Sequence, residues 1–511
     1  MPSSQEKNKR IAKNTFALCA RMFITAGISI YSSRVLLEAL GVEDYGIQNV
    51  VGGVITMLSF LKTSMVSSTQ RYINFAQGSG QPQQAVAYFH TSANLHILLS
   101  LLIVILGETA GLWFLNTRLT IPATRMLAAN VIYQFTIVSA VASILSVPYQ
   151  AVIICHERMR VYAYESVIRS VAMLVFALML IRAQVDRLIL YGVLTMLLGI
   201  GFRLFDGWYC RHYLHYTYRP SLHRQLAKQL LSFSVWTFLC DMGFFIYTQG
   251  STFLINIFFG PVVNAAQALA ATVNMELCTF GSNFMMAVKP QITQSYAAGA
   301  LHYMERLFTC SMKLCWLIMC TVGFPFLLRA DYVLNLWLKE VPDYTVEFLQ
   351  MAILLSIATS IASPFTMAVQ ATGKIRNYHI CEFIAIMTIL PLTYAVFKAG
   401  AAPYHSYTAR TVVLVAFLLV RFVFIKRLLG FSLRGLVFGV WLRCVVSSAL
   451  AFVVLLLLNP LVPQTFLGLL LVCVASLALS AASGWGVALS GQDRMQIKGM
   501  IQQAVRRRKH S

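Results

Sequence analysis

The stretch Pro148–Ile168, PYQAVIICHERMRVYAYESVI, returns in altered form as Pro364–Ile384, PFTMAVQATGKIRNYHICEFI. Aligned without a gap, Pro148 meets Pro364, Arg160 meets Arg376 and Tyr162 meets Tyr378. A second match sets TQRYINFAQGSG (Thr69–Gly80) beside PQITQSYAAGAL (Pro290–Leu301), with Ala76 against Ala297 and Gly78 against Gly299. Two matches in the same order, at nearly the same offset, point to a parallel duplication. In such a duplication equivalent segments keep the same side of a membrane.

Outward from these segments the chain is a series of apolar runs of about twenty residues, the length that crosses a bilayer as a helix. The expected spans are 14–35, 46–68, 87–114, 124–153, 161–182, 188–209, 232–257, 262–287, 305–329, 344–370, 376–397, 408–428, 436–458 and 464–489. Composition agrees. Of 511 residues, 58% are hydrophobic and 11% charged, against about a quarter charged in soluble chains. The mean hydropathy is +0.70. So much apolar surface needs lipid as its solvent. The fold class expected is an all-α polytopic membrane protein with about fourteen transmembrane helices: two pseudo-symmetric six-helix lobes plus two C-terminal helices. The expected division is an N-terminal lobe over 1–209, a cytoplasmic amphipathic linker over 210–231 and a C-terminal lobe over 232–430. Two further spans over 431–490 and a basic tail over 491–511 complete it.

The net charge of +22 reads as topology, not nucleic-acid binding, because Lys and Arg sit in short clusters between apolar runs. Arg71, Arg158, Arg160, Arg211, Arg219, Arg224, Lys228, Lys289 and Lys374 mark one side, with Arg506, Arg507, Arg508 and Lys509 in the tail. The acids Glu38, Glu43, Asp44, Asp186, Asp331, Glu340 and Asp343 mark the other. Both termini are expected in the cytoplasm, with the first span retained rather than cleaved. Within the linker, Leu222–Leu231 alternates basic and apolar residues at helical spacing and suits a helix on the membrane surface. The eleven cysteines are scattered without a CxxC pair, so their spacing indicates neither a disulfide framework nor a metal site. The expectation is no cofactor.

Polar residues on otherwise apolar helices mark a pathway. At roughly 100° per residue, Gln48, Gly52, Thr56, Ser59, Thr63 and Gln70 share one face of the second span. Asn14, Arg21, Thr25, Ser29 and Ser32 do so on the first. Ser234, Thr237, Asp241, Thr248, Thr252 and Asn256 line up on the seventh, and Asn264, Gln267, Asn274 and Ser282 on the eighth. These stripes fall on the first two helices of each half, and imply a water-filled cavity walled by both. Close packing by small residues explains Ser, Thr and Gly equally well, but not Arg21, Asp241 or the Asn and Gln series. Glu165–Arg169 and Arg203–Asp206 are spaced to neutralise each other along one helix. Arg21 and Asp241 are the best cavity charges; Arg410 and Lys313 are weaker candidates, since snorkelling explains both. Asp241, Glu276 and Glu382 are the candidates for a coupling proton or cation.

The opening SSRVLLEALGVEDYGIQNVVGGVITMLSFL, followed by STQRYINFAQGSG, resembles the polysaccharide-unit flippases of the Wzx type. These share a superfamily with the multidrug and toxic-compound exporters (MATE) and the lipid II flippases. PQITQSYAAGA and the PYQAVI/PFTMAV pair add to the likeness, which runs to about residue 430. The resemblance implies a V-shaped two-lobed bundle with a cavity lined by helices 1, 2, 7 and 8. It also implies a substrate: an oligosaccharide on a polyprenyl pyrophosphate, turned from the cytoplasmic to the periplasmic leaflet of a bacterial inner membrane for surface polysaccharide synthesis. Arg21 would meet the pyrophosphate, and the Ser, Thr, Asn and Gln stripes the sugars. The implied partners are the lipid-linked oligosaccharide, membrane lipids, a coupling H⁺ or Na⁺, and other polysaccharide-assembly membrane proteins. A cation-coupled MATE-type drug exporter is the alternative. No large loop with catalytic residues and no GxxxxGK[ST], HExxH or GxSxG motif occurs, which speaks against a glycan polymerase, an ATP-driven pump or another enzyme.

Overall fold

The structure, a computed structural model, describes residues 21, 24–25, 27–29, 31–32, 35–36, 38–41, 44–45, 47–48, 51, 60–117, 121–221, 223–338, 341–491 and 493–494. Among them the chain is helical with no strand. Lipid offers backbone amides no partner, and a helix satisfies them within one segment. The long elements are α1 (Phe60–Gly78), α2 (Pro82–Thr117), α3 (Ala123–Cys155), α4 (Met159–Ile181), α5 (Arg187–Tyr213) and α6 (Arg224–Gly260). There follow α7 (261–297), α8 (Leu301–Leu328), the short α9 (Ala330–Trp337), α10 (Thr345–Thr359) and α11 (Ala362–Thr372). α12 (Arg376–Lys398), α13 (His405–Leu429), α14 (Leu433–Leu461) and α15 (Phe466–Ala488) complete the order.

Among the described residues nine helices are long and apolar enough to cross a membrane, or ten if α10 and α11, bent by 42°, are one span. With α7 and α13 they fall on the expected third to fourteenth spans. This is an all-α, multi-pass membrane protein. The first two expected spans are helical wherever described up to residue 51. Most of their residues, Thr56 and Ser59 included, lie outside the described set.

Contacts divide the chain into two compact units, Lys13–Phe238 and Leu239–Ser511. In the first, α3 is the central helix, 61% of its most apolar window being buried against 17% for α2 and α4. The segment after α5 is held down by side chains of α2. His90 Nε2 lies 2.9 Å from the Thr217 carbonyl, and Asn94 donates to the Ser221 carbonyl at 2.9 Å. Tyr218 donates to Asn94 at 2.8 Å. The expected surface helix at Leu222–Leu231 is not separate: from Arg224 it is the first turns of α6, and Ser68 bonds its Leu230 carbonyl at 2.8 Å. Periodicity cannot distinguish an amphipathic helix from the wet end of a span.

In the second unit α8 is central, with 56% of its window buried, and α14 and α15 are fastened to it. Buried Arg329, just past α8, donates to Asn459 Oδ1 at 2.9 Å and to the carbonyls of Val462 and Pro463 at 2.7 Å each. Ser476 bonds the Thr321 carbonyl at 2.8 Å. Lys313 and Asp493 form an ion pair of 2.7 Å. Snorkelling does not describe Lys313: it is 4% exposed and has an acid partner. Burial alone would raise the Asp493 carboxyl. The bonds from Lys313 and Ser490 outweigh it and hold the group below the usual carboxylate range.

The repeat is visible in local backbone. Glu157 and Gly373, partners in the first alignment, both adopt left-handed conformations, φ 59° and 76°, at the turns between α3 and α4 and between α11 and α12. The second alignment shifts by two residues. Gly80 (φ 71°) is the counterpart of Gly299 (φ 70°), not Gly78. The amides of residues 79, 80 and 81 bond carbonyls 75, 77 and 76, just as 298, 299 and 300 bond 294, 296 and 295. This is a helix-ending motif whose left-handed position suits glycine. Gly260 (φ 84°, ψ −179°) breaks α6 from α7. Only glycine takes that conformation readily, and the following Pro261 disfavours α geometry before it.

Candidate functional site

The second unit carries a half-open cavity of about 920 Å³. α6 contributes Phe244, Tyr247, Thr248, Ser251 and Thr252; α7 contributes Asn264, Gln267, Asn274, Cys278 and Ser282. α8 adds Cys315 and Met319, the bend between α10 and α11 adds Ser356, Thr359, Ser360 and Ser363, and α13 adds Tyr407 and Arg410. Ser356 Oγ donates to Asn274 Oδ1 at 3.0 Å, which leaves the Asn274 amide N–H groups for a ligand. The Arg410 guanidinium lies over two aromatic faces, 5.0 Å from the Tyr247 centroid and 5.4 Å from that of Phe244. Rings hold the cation in place without using its N–H donors. The walls therefore carry hydroxyls, amides, aromatic faces and, among the lining residues, one positive charge.

The first unit holds a smaller polar pocket of about 300 Å³, lined by Gln48, Thr136, Ser139, Ser143, Ser146, Gln150, Arg169, Tyr191 and Thr195 with apolar neighbours. Two acids from adjacent helices meet beside it. Gln150 Nε2 donates to Glu165 Oε1 and to Asp206 Oδ2, both at 3.3 Å. The one amide thus bridges the two carboxyls. Arg169 pairs with Glu165 at 3.5 Å while its guanidinium lies 4.4 Å from the Phe202 ring. Arg203 makes no ion pair with Asp206 among the described residues and packs over Tyr149 at 4.1 Å. Glu165 is 6% and Asp206 0% exposed. One oxygen of each has no hydrogen-bond donor among the described residues.

A third polar cluster lies between α6 and α12. Glu382 accepts from Arg421 at 2.7 Å and faces His379 Nδ1 at 3.1 Å. Cys240 Sγ is 3.1 Å from His379 Nδ1. Half-buried Asp241 is close enough to interact with His379 and Glu382.

No family of known sequences matches the chain, and no curated protein does. Solved structures do. A MATE in complex with MaD3S matches with a TM-score of 0.72 at 14% identity, covering 84% of this chain and 100% of that one. An outward-facing multidrug-resistance MATE transporter matches at 0.71 and 13% identity, covering 84% and 99%. A transporter of the wider MOP superfamily from Pyrococcus furiosus, described as having a binding pocket of reverse polarity, matches at 0.71 and 14%, again over 84% and 99%. The fold is that of the MATE transporters.

Within this MATE fold the sequence candidates fall in different places. Thr248, Thr252, Asn264, Gln267 and Asn274 line the large cavity. Asn256 is exposed and not among its walls. Ser234 and Thr237 are buried, with Ser234 bonding Leu230 O at 2.9 Å. Gln48 lines the smaller pocket. Thr25 is half-buried, and Ser29 and Thr63 are exposed. Arg21 rests on α4, donating to Ser166 at 3.2 Å over the Tyr162 ring at 5.3 Å. Glu276 is exposed. Glu382, a coupling candidate from sequence, has a partner three residues back on its own helix in His379. Sequence reasoning missed the four serine and threonine residues of the α10–α11 bend, because a 42° break resets the helical phase. It also rated Arg410 below Arg21.

Proposed function

We propose that this protein is an alternating-access transporter of the bacterial inner membrane, with both termini cytoplasmic. It flips polyprenyl-pyrophosphate-linked oligosaccharide from the cytoplasmic to the periplasmic leaflet. The observation that carries the reading is the cavity of about 920 Å³ with Arg410 among its hydroxyl and amide walls. A pyrophosphate calls for a charge-assisted donor in a shielded site. Sugar hydroxyls need acceptors and donors such as Thr248, Thr252, Asn264, Gln267 and Ser360, and aromatic faces such as Tyr407 suit their C–H surfaces. Arg410 takes the role that the sequence resemblance gave to Arg21.

The coupling site we assign to Glu165 and Asp206, not to Glu382, whose charge Arg421 already balances. Two buried carboxyls bridged by one amide repel unless one of them takes up a proton or a cation, and each keeps an oxygen without a donor among the described residues. Partners beyond the lipid-linked substrate are membrane lipids and the enzymes that build and consume it.

A cation-coupled drug exporter is the second reading, favoured by the apolar and aromatic share of the same walls: Phe244, Tyr247, Met275, Met319 and Leu355. The deciding experiment is transport by purified protein in liposomes, with a fluorescent polyprenyl-pyrophosphate oligosaccharide and a cationic dye offered in parallel. Movement of the lipid-linked sugar, lost in Arg410→Ala, supports the flippase. Dye export without lipid movement overturns it.

A further inference from the structure

We propose that Cys240, His379 and Glu382 form a binding site for a divalent transition-metal ion, zinc by its donor set, tying α6 to α12. The site lies apart from the cavity walls and does not depend on what the cavity carries.

The first argument is geometric. Cys240 Sγ, His379 Nδ1 and Glu382 Oε2 are separated by 3.1, 3.5 and 3.1 Å. A circle through the three atoms has a radius of about 1.9 Å, just inside zinc–ligand bond lengths of about 2.0–2.3 Å. An ion about 1 Å out of that plane reaches all three at bonding distance. It leaves a fourth, tetrahedral position for a water or another ligand.

The second argument counts protons. The Cys240 thiol has one hydrogen, yet three acceptors surround it: His379 Nδ1 at 3.1 Å, the His379 carbonyl at 3.3 Å and Glu382 Oε2 at 3.5 Å. His379 Nδ1 also sits 3.1 Å from Glu382 Oε2. A thiol and a neutral imidazole supply too few protons for every contact in this triangle. A cation at its centre satisfies the three corners at once.

Charge and support agree. Arg421 holds the other oxygen of Glu382 at 2.7 Å, orienting the carboxylate as second-layer partners of metal ligands do. A divalent ion together with Arg421 balances a thiolate and the carboxylates of Glu382 and Asp241. The mixed sulfur, nitrogen and oxygen set suits zinc better than Mg²⁺ or Ca²⁺, which take oxygen. Sequence spacing hides the site because Cys240 and His379 are 139 residues apart.

The test uses the full chain, purified in detergent and stripped with a chelator, then titrated with Zn²⁺ and with Co²⁺ as a spectroscopic stand-in. Expected are about one ion per chain and a cobalt–thiolate absorption band. Affinity should fall at least about tenfold in C240S and in H379Q, and hold in C381S, the neighbouring cysteine off the triangle. Should either variant fail to fold, the cobalt band of the wild type decides alone. Absence of saturable binding, a cobalt spectrum without the thiolate band, or binding unchanged in C240S and H379Q overturns the site.

Discussion

The two units hold their polar groups in opposite ways. In Lys13–Phe238 the acids Glu165 and Asp206 are buried and clasped by Gln150 beside a pocket of about 300 Å³. In Leu239–Ser511 the polar groups stand around a cavity about three times larger, and its cation is held by ring faces that leave its donors free. A tight cluster of buried acids can gain or lose a proton but not admit a sugar. A roomy wall of hydroxyls, amides and one arginine can admit a headgroup but, among its lining residues, has no acid to take up a proton. On the proposed function the difference puts coupling in one unit and substrate in the other, and four experiments can break or sharpen that division.

The largest effect should come from the acids. Glu165→Gln with Asp206→Asn removes the shared-proton site, and ion-gradient-driven transport in liposomes should fall by at least about 100-fold, while headgroup binding stays within about threefold. Next is Arg410→Ala, which removes a charge-assisted bond worth about 1.5–3 kcal/mol; headgroup affinity should drop by about 10- to 100-fold. Gln48→Ala in the other pocket should leave that affinity within about threefold.

Third, Arg329→Ala strands the carbonyls of Val462 and Pro463 and frees the α14–α15 turn. Thermal unfolding in detergent should show a loss of about 2–4 kcal/mol. Headgroup binding, read on the folded fraction, should persist, since the cavity walls do not include α14 or α15. The smallest effect concerns Arg125, which bridges Asp44 and Asp186. Its hydrogen bonds hold the Asp186 carboxyl below the usual range. A depressed carboxyl stabilises above its unfolded value, so this contribution should fade as pH falls through the lower, folded value. Asp186→Asn should flatten the acid limb of a stability-against-pH curve, and an unchanged limb would contradict the bridge.

How much of this was legible beforehand differs between the same two regions. Apolar runs located the spans because lipid imposes a length. The stripes of Thr248, Thr252, Asn264, Gln267 and Asn274 gave part of the cavity, since they sit on unbroken helices where 100° per residue holds. Ser356 to Ser363 escaped because α10 and α11 are bent between them. Glu165 and Asp206 escaped for a different reason. Each has an arginine at helical spacing, so each read as neutralised along its own helix. Their meeting across α4 and α5 is tertiary, and no periodicity carries it. Cys240, His379 and Glu382 are hidden the same way, although the His379–Glu382 spacing of three was there to read.

The most direct test of the division is headgroup binding, measured on purified protein with a polyprenyl-pyrophosphate oligosaccharide, for wild type, Arg410→Ala and the Glu165→Gln/Asp206→Asn double variant. The account predicts binding weakened about 10-fold or more in Arg410→Ala and retained in the double variant. Retention in Arg410→Ala with loss in the double variant would contradict it, and would move the substrate to the first unit.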